Sequence, residues 1–480
     1  MKAMLKSVTL ALLAGSTLLA HGTLGEPAAY ESGEEFPGGD TTVGDDGRNA
    51  FSHPAANLSV DRQTPFFIGN SFFKKNWVEA PASTTGRDGL GPYFITRACA
   101  GCHALDGRGA PPTFEQDAQT EQPIALLVRL SIPGDGGRAG VVPEPTYGTQ
   151  LNNFAVRDIT PEGKIEIRYR EIKGQFADGT PYSLRQPEYR ITELGYGALH
   201  PQTLMSPRIA PHVIGLGLLE AIREDDILAN AARQAKDGKG ISGRPNRVWD
   251  AHHENWVLGR FGWKANVGSV AHQTAAAFNG DLGVTSTLFP HEECMPAQTD
   301  CHERIAQEAL WRQERKQTAV DIDDRALGRT VFYMQTLAVP QRRNVKDPQV
   351  LHGKRIFHEA NCASCHTPRY VTGDLPDFPE LSKQTIYPYT DLLLHDMGEG
   401  LADNRPDFEA SGREWRTPPL WGLGLIPTVN GHSTLLHDGR ARNLMEAVLW
   451  HGGEAESAKQ HVLELDKADR EALIRFLESL

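Results

Sequence analysis

Two pentapeptides, CAGCH and CASCH, constrain this chain more than anything else in it. The first supplies Cys99, Cys102 and His103, the second Cys362, Cys365 and His366. Thiols two residues apart are spaced to add across the two vinyl groups of one porphyrin, and the His that follows becomes an axial iron ligand. Zinc ribbons also use C-x-x-C, but they pair their units at close sequence range. Here the motifs lie 263 positions apart (362 − 99), each with a trailing His. The expectation is two covalently bound haem c groups on separate modules.

A weak internal repeat points the same way. In DGLGPYFITRACAGCH and LHGKRIFHEANCASCH a Phe, Phe94 or Phe357, precedes the first Cys by five positions, with a Gly one turn earlier. Each segment reads as a short helix delivering the chain to its motif. The other two cysteines, Cys294 and Cys301, flank six residues in ECMPAQTDCH. In an oxidising compartment that spacing predicts a structural disulfide, since redox-active dithiols typically have two intervening residues.

The compartment follows from the N-terminus. Lys2 and Lys6 precede an apolar run from Val8 to Ala20, and small residues follow at Gly22 and Gly25. This is the layout of a secretory signal over residues 1–25, too short to span a bilayer and with no Cys to take a lipid. VIGLGLLEAI, the next apolar stretch, is short and carries Glu220, so no transmembrane segment is expected. The expected location is the periplasm. A net charge of −12 argues against a nucleic-acid partner.

With 480 residues there is material for two or three domains, and 47 Gly and 31 Pro point to a loop-rich chain. The fold expected is mainly α: two cytochrome c-like haem modules with a β-containing insertion between the motifs. The N-terminal module spans 26–345, with a β-rich insertion at about 115–255, and the second module spans 346–480. Alternation in KIEIRYREI, with Ile165, Ile167 and Tyr169 on one side, predicts strand, and FADGTP predicts a turn. The polar loop from Asp237 to Asn246 has too few acids for an EF-hand; a structural calcium ion and a plain solvated loop are both open there. The tail places Leu473, Phe476, Leu477 and Leu480 on one helical face, to pack on the second module.

What a haem does depends on its sixth ligand. From Arg442, RARNLMEAVLWHGGEA reads as a helix with Leu444, Val448 and His451 on one face. His451 is then either a ligand or a hydrogen-bonded core His. RTPPLWGLG and LLHDGRARNLMEAVLWHGG strongly resemble the C-terminal module of bacterial di-haem cytochrome c peroxidases and their relatives, including the di-haem maturase of methylamine dehydrogenase. The most similar branch is that of the di-haem oxidoreductases, also labelled thiol oxidoreductases. In that superfamily the sixth ligand of the electron-transfer haem follows an HDG-type motif by fourteen residues. Counted from His437, the resemblance implies a His366/His451 pair (437 + 14 = 451) on a low-potential second haem.

GRFGWKANVGSVAHQTAAAFNGDLG is similar, more loosely, to the stretch carrying the inter-haem Trp and the distal groups of the peroxidatic haem. The resemblance implies Trp263 as electron relay, Gln273 as distal amide and Asp281 as distal carboxylate. The family's usual Glu is here Asp, and its Trp-Asp-Gly-Arg is here Trp-Lys-Ala-Asn. On the residues alone, Trp263 is equally a core aromatic and Asp281 a turn residue. The next His after His103 is His200, which favours an open or water-bound first iron, with His200 and His212 as alternatives. His395 and Met397 are expected at the edge of the second haem, Met397 as the other candidate sixth ligand. His252 and His253 are expected on the surface; Arg440 and Arg442 are either partners of propionates or surface residues.

The function so implied is a periplasmic oxidoreductase of peroxidase type. A small soluble donor, such as a cytochrome c or a cupredoxin, reduces haem 2; electrons cross by Trp263 to haem 1, which reduces peroxide. The alternatives are a pure electron carrier with both irons six-coordinate, and an oxidase of a partner protein.

Overall fold

The computed structural model describes residues 28–84, 86–112, 125–315 and 319–480. The export signal expected over 1–25 lies outside them, as does the expected start of the insertion near 115. No helix among the described residues is long and apolar enough to cross a membrane.

The mainly-α expectation is overturned. The chain is 33% helical and 18% strand, a mixed α/β protein with many small sheets. Most of these sheets are pairs of strands two to four residues long, such as Tyr93–Phe94 with Phe154–Ala155 and Leu394–Asp396 with Glu414–Arg416. Strands this short, closed by frequent Gly and Pro, leave no alternating pattern for a sequence reading to find.

The long exception is a hairpin of Lys164–Gln175 and Pro181–Thr192, in register from Lys164↔Thr192 to Gln175↔Pro181. Ile165 and Ile167, on one face, are buried, as the alternation predicts, while Leu184, opposite Ile172, is buried on the other face. It lies across the loop that precedes His451. Arg185 donates to the carbonyls of Arg440 and Gly439, Tyr189 to Asp438, and Arg442 pairs with Glu171.

Two helix pairs carry the cradles. Val60–Lys74 packs on Asp324–Thr336, and Pro348–Glu359 on Lys467–Ser479. Each second helix is capped by a carboxylate: Asp323 accepts from the Ala326 amide and Asp466 from that of Asp469. Both pairs cross at a glycine. A Cβ on Gly69 would sit 2.0 Å from the Arg329 carbonyl oxygen, and one on Gly353 1.9 Å from that of Ala472. Only Gly lets backbone approach backbone so closely. The tail helix buries Leu473, Phe476, Leu477 and Leu480. Cys294 and Cys301 are joined by a disulfide.

Candidate functional site

Both C-x-x-C-H motifs open into one continuous cavity of about 650 Å³. Cys99–Cys102 forms a single helical turn and Cys362–Ser364 a 3-10 turn. In each the His amide donates to the first Cys carbonyl, 2.9 Å at His103 and 3.0 Å at His366. One turn of chain thereby presents two thiols and an imidazole. None of the four motif cysteines is in a disulfide, and burial pushes Cys99 and Cys362 up to about 12.

The imidazoles are oriented alike. His103 Nδ1 lies 2.6 Å from the Pro211 carbonyl and His366 Nδ1 2.9 Å from that of Tyr389. A carbonyl only accepts, so Nδ1 carries the proton and Nε2 keeps its lone pair. This is how a metal-ligating His is fixed by its surroundings. His451 repeats it, with Nδ1 2.7 Å from the Ala447 carbonyl. Burial holds all three down, His366 to about 4, where the nearby His451 contributes. The helix expected to carry His451 runs Leu444–Leu449, so the residue sits just past its end.

The expected repeat around Phe94 does not hold. Tyr93–Phe94 is strand, and Phe94 stacks on Phe154 with centroids 5.8 Å apart. The counterpart of Phe357 is Phe73. Their rings lie 6.3 Å from His366 and 6.2 Å from His103, respectively, and each follows its crossing glycine by four residues (Gly353, Gly69). The signal G-x-x-x-F was present in Val60–Lys74, separated from its motif by a long loop.

The first cradle is also walled by the helix Val270–Leu282, started by Ser269, whose hydroxyl accepts from the His272 amide. Gln273, Ala276, Ala277 and Asp281 turn one face into the cavity. The two alanines leave room that larger side chains would fill. Asp281 is close enough that its charge raises Cys99, Cys102 and His103. Gln150 Nε2 donates to Asp281 Oδ1 at 3.0 Å and to the Gly280 carbonyl at 2.9 Å, fixing the carboxylate. His200 is not among the cavity-lining residues. His212 is, but it follows the residue that holds His103, and burial pushes it down to about 3.

Trp263 is buried in the cavity wall, its indole donating to the Ile209 carbonyl at 2.8 Å. The Arg108 guanidinium lies 5.5 Å over its ring, and its own carbonyl accepts from the Arg416 amide. Arg108 and Arg416 were invisible in the sequence. Both are buried in the wall; among the described residues their guanidinium groups donate to backbone carbonyls and have no carboxylate ion pair. Burial pushes each down to about 10. Buried cations need an anion, and a cavity flanked by two of them fits a group bearing carboxylates, as a porphyrin does. Arg440 and Arg442, for which that role was one of two readings, are instead paired with Asp438, Glu446 and Glu171.

At the second cradle, buried His395 is clasped between Asp391 at 2.9 Å and Glu454 at 2.7 Å, with Cys365 Sγ 3.6 Å away. The two carboxylates hold its pKa well above the usual imidazole value. Met397 also lines the cavity. His252 and His253 are exposed. The loop Asp237–Asn246 gives calcium nothing: Asp237 accepts from the Lys239 amide, and the Asn246 amide donates to two backbone carbonyls. Among the described residues, no cluster of three His, Cys, Asp or Glu is arranged to hold a metal ion.

A single cavity shared by two C-x-x-C-H cradles, with lone-pair imidazoles and buried guanidinium groups, is the interior of a two-haem redox protein. The family described as "Di-haem oxidoreductase, putative peroxidase" matches residues 32–480, and the chain belongs to it. No curated protein matches the chain. Among solved structures, Kuenenia stuttgartiensis hydrazine synthase pressurised with 20 bar xenon is similar over 99% of this chain and 99% of its own. At 12% identity and a TM-score of 0.30, that likeness carries no argument.

Proposed function

We infer that this is a periplasmic c-type peroxidase. It would accept electrons at the Cys362 cradle from a small soluble cytochrome c or cupredoxin and reduce peroxide at the Cys99 cradle. The carrying observation is an asymmetry: the His366 side of the cavity holds a second lone-pair imidazole, His451, while the His103 side holds Gln273 and Asp281. Two His ligands close an iron to substrate, whereas a carboxylate and an amide leave it open and equip it. Export is supported by the signal pattern in residues 1–25.

Bound haems would supply the iron chemistry that cleaves the O–O bond and stores electrons. Cys99 and Cys102 would tether one, Cys362 and Cys365 the other, with Arg108 and Arg416 opposite their carboxylates. The chain's own work is then proton traffic and alignment. Asp281, held at Oδ1 by Gln150, takes the proton from the inner peroxide oxygen and returns it to the outer one. Gln273, two helical turns earlier on the same face, hydrogen-bonds the peroxide. Trp263, fixed by Ile209 and beside Arg108, is the conduit between the cradles.

The test is peroxide turnover with reduced cytochrome c as donor. Asp281→Asn should lower kcat about 100-fold, the lower range of what a positioned acid–base contributes, with both haems still attached. Unchanged turnover would remove Asp281 from the chemistry. A ferric protein with both irons low-spin would leave only electron transfer.

A further inference from the structure

A hairpin outside the two cradles joins the cavity to the surface. Its strands, Arg247–Asp250 and Asn255–Leu258, pair in antiparallel register with Trp249 opposite Trp256. The two indoles meet edge to face, with centroids 6.0 Å apart at 74°. Trp249 lines the cavity, and so does Phe408, whose ring is 6.0 Å from Trp256. Trp256 is 47% exposed, an unusual state for so large an apolar ring. It stands in an exposed run from His252 to Trp256.

The hairpin is not loose. Asp250, the last residue before its turn, accepts from Ser269 Oγ at 2.7 Å and lies 3.6 Å from His272. Ser269 caps the helix that carries Gln273 and Asp281. The indole pair is therefore tied to the wall of the first cradle.

We propose that Trp249 and Trp256 form a redox outlet from the cavity, ending at an exposed indole that oxidises aromatic donors too bulky to enter. The donor class is a phenol or aromatic amine, and the oxidant is the peroxide of the function proposed above, on which this inference rests. Charge sets the direction. The Arg138 guanidinium lies 4.0 Å over Trp249 and disfavours a positive hole on that ring. Trp256 has no cation over its ring among the described residues, and water at its exposed face stabilises the hole. Trp256 gives an electron to Trp249 and recovers one from the donor. Over a turnover, two phenols each lose one electron and the hydroxyl proton. The peroxide O–O bond takes up both electrons and both protons and leaves as two waters.

The test uses the di-haem protein, Trp256→Phe and Trp249→Phe. The reduced protein is mixed with photogenerated tris(bipyridine)ruthenium(III), a surface oxidant that needs no peroxide, and haem oxidation is followed by absorbance. Each variant should slow it at least tenfold, and equal rates would overturn the outlet. With peroxide and no donor, peptide mass spectrometry should find oxygen added at Trp256 in the wild type and much less in Trp249→Phe. Trp256→Phe should keep cytochrome-driven peroxide consumption while losing oxidation of a bulky dye such as ABTS. Slowed ruthenium-driven oxidation in a protein that consumes no peroxide would uphold the outlet and refute the peroxidase reading. Normal peroxide consumption with unslowed variants would do the reverse.

Discussion

The cradles at Cys99 and Cys362 are assembled from the same parts and then furnished differently. Each has a helix pair crossing at a glycine, a Phe four residues on that packs beside the motif His, and a backbone carbonyl that takes the Nδ1 proton. A second aromatic backs each Phe, Tyr333 in one and Phe476 in the other, at 5.5 and 5.1 Å. Up to the imidazole, the two sites do the same job. Beyond it they part: His451 is close enough to His366 to hold it down, while Asp281, on the cavity-lining helix with the alanines and Gln273, is close enough to act on Cys99 and His103. Scaffold and reactivity are thus separable, and substitutions in the shared parts should act alike while those in the opposing walls should not.

The largest expected effect tests the walls. His451→Ala should convert one low-spin ferric iron to high-spin in the EPR spectrum, whereas Asp281→Asn should leave the low-spin count untouched. If His451→Ala leaves the spectrum unchanged, His451 is a core residue hydrogen-bonded to Ala447 and the two walls are not so different.

The next effect tests the shared scaffold. Gly69→Ala and Gly353→Ala each push a Cβ to about 2 Å from a backbone oxygen that no side-chain rotation can move. Each should cost about 3 kcal/mol, at the upper end of overpacking penalties, and the two costs should agree closely. Thermal unfolding of the holoprotein measures both. A loss at one glycine only would mean that the crossings are alike in shape but not in load.

What the sequence disclosed follows from range. The cysteines and motif histidines announce themselves because thioether chemistry fixes their spacing. The 164–192 hairpin does so because twelve-residue strands sustain an alternation. Phe73 was missed in favour of Phe94 because the helix and its motif are separated by a loop, so adjacency pointed to the wrong ring. Arg108 and Arg416 were missed because a cation's burial depends on segments far off in the chain: Arg108 is held by the carbonyls of Thr434 and Leu436. The mixed α/β character was missed because it resides in strand pairs too brief to mark the sequence.

The smallest expected effect concerns a part that the second cradle has and the first lacks, the buried HDG loop ahead of His451. His437 stacks on Trp415 at 3.8 Å and 13°, and burial pushes it down to about 4 from 6.5. As pH falls through 6.5 the unfolded chain takes up a proton that the folded His437 refuses until about 4. Its contribution is therefore full above 6.5, is lost progressively down to 4 and is flat below. At pH 5 the loss is about 2 kcal/mol by linkage. His437→Phe keeps a ring against Trp415 and has nothing to titrate. Melts at pH 7 and pH 5 should show the wild type losing about 2 kcal/mol more than the variant between the two conditions. Parallel losses would mean that folded His437 takes up its proton near 6.5, as the unfolded chain does, with Asp438 3.8 Å away offsetting its burial. At pH 5 the loop would then be held by an ion pair.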